Sequence, residues 1–357
     1  MIGLNNVKLS FFLFGSVFYF YYFLLKPVYI ILGLGILLGY FVKKYFVNYS
    51  YIFSSMFFIL YLMFVSVMGK TDIGMVLNAV ISIFVFPIFY FFCRNLKSLK
   101  PFIYFLNISF VYYFAEMIYR ISFPIYKFNP SGIDDEWFYP YKLNSFIFGD
   151  SNFVALHLFC LLFISIILRL KIHAILFFIL IFLTFSRSAI LGAILAFLYY
   201  LVNSSRYTVL IKPFFYLTTF LIFLYCILNI SLITDGSFLS KLYILDSAIY
   251  YAENNFTLYQ YLFGNGLSQT FDAIGIGAHN ILVILLFETG IIGTIVYLTY
   301  IFTFFLFKVS NKSCKSNLFV FLGLFFLMGF SLGLYLFPIM VLTIAVILSN
   351  MEGKNDQ

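Results

Sequence analysis

Long apolar runs follow one another almost from end to end of this chain, separated by short polar breaks. An α-helix needs roughly 20 predominantly apolar residues to cross the hydrocarbon core of a bilayer, and shorter ones occur inside bundles. On that basis twelve spans are predicted, at about 11–25, 27–42, 51–69, 74–93, 101–119, 146–168, 173–185, 188–202, 213–231, 280–307, 317–336 and 338–350. Composition agrees, because 64% of the 357 residues are hydrophobic and 10% are charged, against about half and a quarter in soluble domains. No soluble packing hides such an excess of apolar surface, so it has to face lipid. The expected fold class is all-α: a polytopic membrane protein of about 12 transmembrane helices, with residues 1–357 forming a single transmembrane domain.

Lys and Arg orient the spans. With the N-terminus in the cytoplasm, two thirds of the 21 basic residues fall on the cytoplasmic side, among them Lys43, Lys44, Arg94, Arg206 and Lys312. That bias is the positive-inside pattern, with both termini cytoplasmic. All acidic residues except Glu352 and Asp356 fall on the other side or within spans. The net charge of +8 is spread between spans and forms no continuous patch, which excludes a nucleic-acid partner. Cys93, Cys160, Cys226 and Cys314 lack metal-site spacing, and neither a disulfide nor a zinc site is expected. Lys8 and the apolar run Phe11–Leu25 have no small-residue cleavage site after them, so they read as a retained first span.

Two loops are long, at about 121–145 and 232–279, and both face outward in this topology; long loops in compact folds are commonly functional. The first carries Tyr126, Phe128, Trp137, Phe138, Tyr139 and Tyr141 beside Asp134, Asp135 and Glu136. Rings that stack on sugars next to carboxylates suit carbohydrate, and an interfacial aromatic belt has the same composition. The 24% aromatic content reads mainly as compositional bias, with a sugar-stacking tunnel as the alternative. This loop runs into Phe148-Gly149-Asp150-Ser151-Asn152, where Asp150 is placed as an N-cap.

In the second loop Leu242, Leu245, Ile249 and Ala252 recur at helical spacing, which predicts an amphipathic helix at the interface. Leu262-Phe263-Gly264-Asn265-Gly266 follows, with glycines two apart that permit a tight turn or an approach to an anion. His279, in Gly277-Ala278-His279-Asn280, stands at the mouth of a span, where a group titrating near neutrality serves either as a general base or as a backbone anchor. Glu288 lies nine residues on from His279, roughly 13 Å along the axis and about half a turn out of phase. An ionisable group inside a span is a functional candidate, although Gly290 and Gly293 beside it point to close helix packing. Ser186-Arg187-Ser188 joins two short spans, and an Arg at that depth either pairs with an anion or snorkels to headgroups.

Taken together these pieces resemble the superfamily of O-antigen polymerases (Wzy-type) and O-antigen ligases. The residues that carry the resemblance are Phe148–Asn152, Phe185–Ala189, and Leu262–Gly266 followed by His279-Asn280 and Glu288–Gly293. The likeness covers about residues 145–300. It implies a GT-C-type glycosyltransferase of the bacterial inner membrane that works at the periplasmic face, in lipopolysaccharide biosynthesis. Its donor would be an undecaprenyl-diphosphate-linked oligosaccharide, with membrane lipid and a chain-length regulator protein as further partners. The resemblance puts diphosphate binding on Arg187 and the catalytic role on His279. Lys241 stands where the family has a second arginine, which keeps the charge and loses the planar fork. Asp150, Asn152, Asn280, Gly264 and Gly266 join the substrate-binding candidates, and Arg120, Asp246, Glu253, Asp272 and Glu288 are further ones. Diphosphate is a good leaving group and no Asp-x-Asp is present, so neither a metal nor any other cofactor is expected.

Polymerase is favoured over ligase by the short chain, by a loop helix without an aromatic-rich pattern, and by Lys241. The competing class is a lipid-linked glycan flippase. Such a transporter should carry charges deep in many helices, whereas the first five predicted spans hold only Glu116, near one end.

Overall fold

The computed structural model describes residues 6–23, 26–42, 48–68, 73–126, 139–204, 236–267, 269–275, 280–307, 312–332 and 336–349. The span expected at 213–231, most of the acidic and aromatic residues of the first loop, and Gly277, Ala278 and His279 lie outside them.

The first five helices are α1 (Asn6–Phe14), α2 (Pro27–Val42), α3 (Tyr49–Met68), α4 (Ile73–Asn95) and α5 (Lys100–Ser122). Helices α2 to α5 follow the sequence expectation within a few residues, because each apolar run there ends in polar or basic residues. The first does not. It stops at Phe14 and turns, with the amide of Ser16 bonded to the carbonyl of Leu13 and that of Val17 to Phe14. Gly15 makes room for the turn, since a Cβ there would lie 2.6 Å from Ile31 Cγ2 of α2.

A two-stranded hairpin comes next, β1 (Leu143–Ser145) with β2 (Gly149–Asp150) antiparallel. Residues 146–150 are therefore turn and strand rather than the start of a span. Asn144 and Gly149 take φ values of +79° and +80°, which a helix does not accommodate. Then follow α6 (Ser151–Ile167), α7 (Lys171–Phe182) and α8 (Arg187–Ser204).

The second loop contains α9 (Gly236–Asn255), α10 (Leu258–Phe263) and α11 (Thr270–Ile274). The expected straight span over 280–307 is interrupted. A short α12 (Ile281–Val283) widens into a π-helical turn, Ile284–Glu288, and a new helix, α13 (Gly290–Thr303), starts at Gly290, whose φ is +65°. Two more helices complete the described chain, α14 (Lys312–Leu332) and α15 (Pro338–Leu348).

Among the described residues, three helical stretches are long and apolar enough to cross a membrane, Tyr49–Val67, Gly74–Asn95 and Lys100–Ser122; α2, α6, α7, α8, α13, α14 and α15 contribute shorter apolar stretches of 10–17 residues. The architecture is that of an all-α membrane protein. At its centre α6 and α15 pack on each other, with α15 also against α4 and α14. Every residue of α15 is buried, as is nearly all of α6. A helix that is apolar all round belongs in the interior.

Candidate functional site

The first two of the stretches that carry the resemblance are joined by a hydrogen bond, and the third lies at the same end of the bundle. α3 ends where α4 begins, so Tyr61 and Phe64 in the second half of α3 lie toward the end shared with Asn78 in the first third of α4. The second loop reaches Tyr61 and Phe64 through Phe263. Asn78 accepts the hydroxyl of Tyr19 at 2.7 Å, and the ring of Tyr19 meets Phe148 of the hairpin.

Asp150 is the N-cap of α6. Its carboxylate accepts the amide of Asn152 at 2.8 Å and faces the Asn152 side-chain nitrogen at 3.4 Å. Between them Ser151, fully buried, donates its hydroxyl to the carbonyl of Thr184 at 2.8 Å. Thr184 belongs to the turn joining α7 to α8, three residues before Arg187. That bond joins the Phe148–Asn152 stretch to the residue just before the Phe185–Ala189 stretch. Phe185 in this turn has φ +57°, a left-handed conformation that costs an L-residue about 1–2 kcal/mol. Arg187 opens α8 and is exposed. Ser186 before it is buried to 1%, and its hydroxyl has no hydrogen-bond partner among the described residues.

Arg120 is wholly buried at the end of α5. Its Nε meets Glu116 Oε1 at 3.0 Å, and one terminal nitrogen donates to the carbonyl of Leu183 at 3.0 Å. The other donates to the carbonyl of Tyr141. Outside the bundle, a hydrogen bond with Tyr141 raises the phenol of Tyr126 above its ordinary value.

The third stretch forms a docked pair of backbones. The amide of Asn265 donates to the carbonyl of Phe287 at 2.9 Å, and that of Gly266 to the carbonyl of Glu288 at 3.1 Å. Only glycine fits on either side. A Cβ on Gly264 would lie 2.2 Å from the Glu288 oxygen, and one on Gly290 2.4 Å from the Gly264 nitrogen. Tyr61 bridges the contact, its hydroxyl facing the carbonyls of Phe263 and Thr289. The loop thus sits at the break between α12 and α13 and bonds backbone groups that an unbroken helix would keep to itself.

Glu288 is buried and accepts the hydroxyl of Thr270 at 2.5 Å, which fastens α11 to the same break. Asn280 is buried and caps α12 through the amide of Leu282 at 2.9 Å. Thus Gly264, Gly266, Asn280 and Glu288 each have a structural partner.

Lys241 lies on α9, its side chain outside the described residues. The buried face of α9 is Ile244 and Ala248, packed on Val283 and Phe287 with Leu245 and Tyr251 beside them. The expected stripe was Leu242, Leu245, Ile249 and Ala252. Ile249 turns out exposed, because tertiary contact with the π-helical turn selects a neighbouring stripe. Asp246, Glu253 and Asp272 are exposed.

α14 links the stretches. A Cβ on Gly192 of α8 would lie 2.5 Å from the sulfur of Met328, and one on Gly329 would lie 3.2 Å from Cγ2 of Ile281. Arg187's helix and Asn280's helix therefore pack against adjacent residues of α14.

His157 is a buried polar residue to which the sequence pattern assigns no role. It is buried on α6, stacked on Phe337 with ring centres 4.7 Å apart, edge-on to Tyr19 and Phe148, with Nδ1 3.2 Å from the Tyr113 hydroxyl. Its cage comes from four separate segments, and the one sequence signal was a His within an apolar run.

No protein-family model, no characterised protein and no solved structure matches this chain.

Proposed function

We propose that this protein is an O-antigen (surface polysaccharide) polymerase. It transfers a glycan chain carried on undecaprenyl diphosphate onto the next lipid-linked repeat unit, at the periplasmic face of a bacterial inner membrane. In this reading the chain is a twelve-span GT-C-type glycosyltransferase with both termini cytoplasmic. The observation that carries it is convergence: Ser151 bonds Thr184, and the Gly264–Gly266 turn docks on Glu288–Gly290 at the same end of the bundle.

The chemistry follows from charge. Arg187 and Lys241 hold the donor diphosphate and stabilise it as it leaves, as fixed cations do wherever negative charge develops. His279 takes the proton of the acceptor hydroxyl as the new glycosidic bond forms. The anomeric carbon–oxygen bond to the diphosphate breaks, and the electron pair leaves with the lipid.

Deleting the gene and resolving the lipopolysaccharide by electrophoresis tests the proposal. Loss of the ladder with a single repeat unit left on the core is the expected result. A core with no repeat units, and polymer accumulating on lipid, would assign the ligase reaction instead. Repeat units trapped on the cytoplasmic leaflet would assign a flippase.

A further inference from the structure

We infer that Arg120 is a positioning residue that fixes the turn presenting Arg187; the inference rests on the functional reading above. Arg120 is 0% exposed, so it is closed off from any substrate. Its charge is already matched by Glu116 at 3.0 Å. What it has to offer is direction: the planar fork sends one nitrogen back along α5 and the others to two backbone carbonyls, of Tyr141 and Leu183. A guanidinium does this because its donors diverge in one rigid plane.

Leu183 and Thr184 stand four and three residues before Arg187, and their carbonyls are each taken by a donor from another helix. Arg120 of α5 holds the first and Ser151 of α6 holds the second. Between these anchors and α8, Phe185 is kept at φ +57°. Backbone held in a sparsely populated region persists when its surroundings over-determine it, and it clusters at functional sites. Two inward struts thus set the direction in which α8, and with it Arg187, begins.

Glu116 completes the device. A lone guanidinium buried in this setting would be costly, and pairing with a carboxylate one turn back lets it stay while its remaining donors are used elsewhere. Lys in place of Arg120 keeps the charge for Glu116 but has no fork to reach both carbonyls.

The test uses the full-length protein in lipid nanodiscs with two variants, Arg120→Lys and the charge-neutral pair Arg120→Met with Glu116→Leu. The second variant removes both buried charges, so it folds without a stranded carboxylate. Amide hydrogen exchange over residues 182–188 should rise about tenfold or more in both, the scale of a lost charged hydrogen bond, while residues 262–290 keep wild-type protection. In transfer assays the loss should fall mainly on KM for the lipid-linked donor. Wild-type exchange at 182–188, or a rise spread evenly over the protein, would overturn the inference. Normal exchange at the turn beside an inactive Arg187→Ala enzyme would overturn the positioning role alone. A fully active Arg187→Ala enzyme would overturn the positioning role while leaving the polymerase reading standing, and a wild-type protein without transfer activity would overturn the functional reading itself.

Discussion

The amide of Gly266 donates to the carbonyl of Glu288 across 3.1 Å, with Gly264 and Gly290 face to face beside it. A loop backbone is thereby inserted where an apolar helix is broken, and both partners depend on lacking a side chain.

Gly264→Ala should be among the most damaging single substitutions in the second loop. The residue sits at φ +84° and ψ 176°, a region essentially closed to other residues at a cost of about 1–3 kcal/mol. The added carbon would also meet the Glu288 carbonyl. Gly275 is the control, because its φ is +74° and a Cβ there would meet nothing within 4 Å. Thermal unfolding in detergent should rank Gly264→Ala well below Gly275→Ala, with easier protease cutting between 236 and 275. Equal melting temperatures would dissolve the docking argument.

Tyr61→Phe removes the hydroxyl that faces the carbonyls of Phe263 and Thr289. Leaving buried acceptors without their donor costs about 1–3 kcal/mol. Hydrogen exchange should rise in residues 262–290 and stay unchanged around Leu183. A uniform change in both regions would show that Tyr61 is general packing and not a clasp on the loop.

Arg187→Ala should abolish polymer at normal protein level, and Arg187→Lys should rescue it poorly. Lysine supplies the charge without the planar fork that grips two phosphate oxygens. Immunoblot and lipopolysaccharide banding read this out, and near-wild-type banding would remove diphosphate binding from this residue.

His279→Ala should slow turnover about 100-fold or more if the residue is the base, whereas losing a single loop hydrogen bond costs about 1 kcal/mol. A base works deprotonated, so wild-type turnover should fall as pH drops through roughly 6.5, the ordinary histidine value. That acidic limb should be missing from the variant's residual activity. A stable variant within a few-fold of wild type would assign His279 to structure and turn attention to the exposed Asp246, Glu253 and Asp272.

Much of the bundle was legible because hydropathy and basic punctuation act locally. The runs behind α2 to α5 end where Lys, Arg or Asn begin, and Asp150 declared itself as a cap through its type and place. What escaped depends on contacts between distant segments. Nothing in the composition of 280–307 reveals that Gly290 is left-handed, since the break exists to receive Gly264, some 25 residues earlier. The expected start of α6 is too early because the residues before Ser151 are apolar enough for a span yet form a hairpin against α5 and Tyr21. For α9 the period was right and the face was not, because Val283 and Phe287 decide which stripe is covered. The candidate site was read as separate stretches, and their meeting through Ser151 and Met328 is a property of the folded chain alone.

The enclosed position of α15 bears on how such a protein is put together in the cell. This helix has 11 residues, roughly 16 Å of length against a hydrocarbon layer of about 30 Å. On its own it is a poor candidate for independent insertion by the translocation machinery. Yet it follows α4, α6 and α14 in the chain, and those are the helices it packs between. A groove lined by earlier helices is thus ready when α15 emerges, and its arrival closes the interior. Until then the nascent bundle lacks its cover over α6, so a substitution that keeps α15 from docking should leave that face open within the membrane.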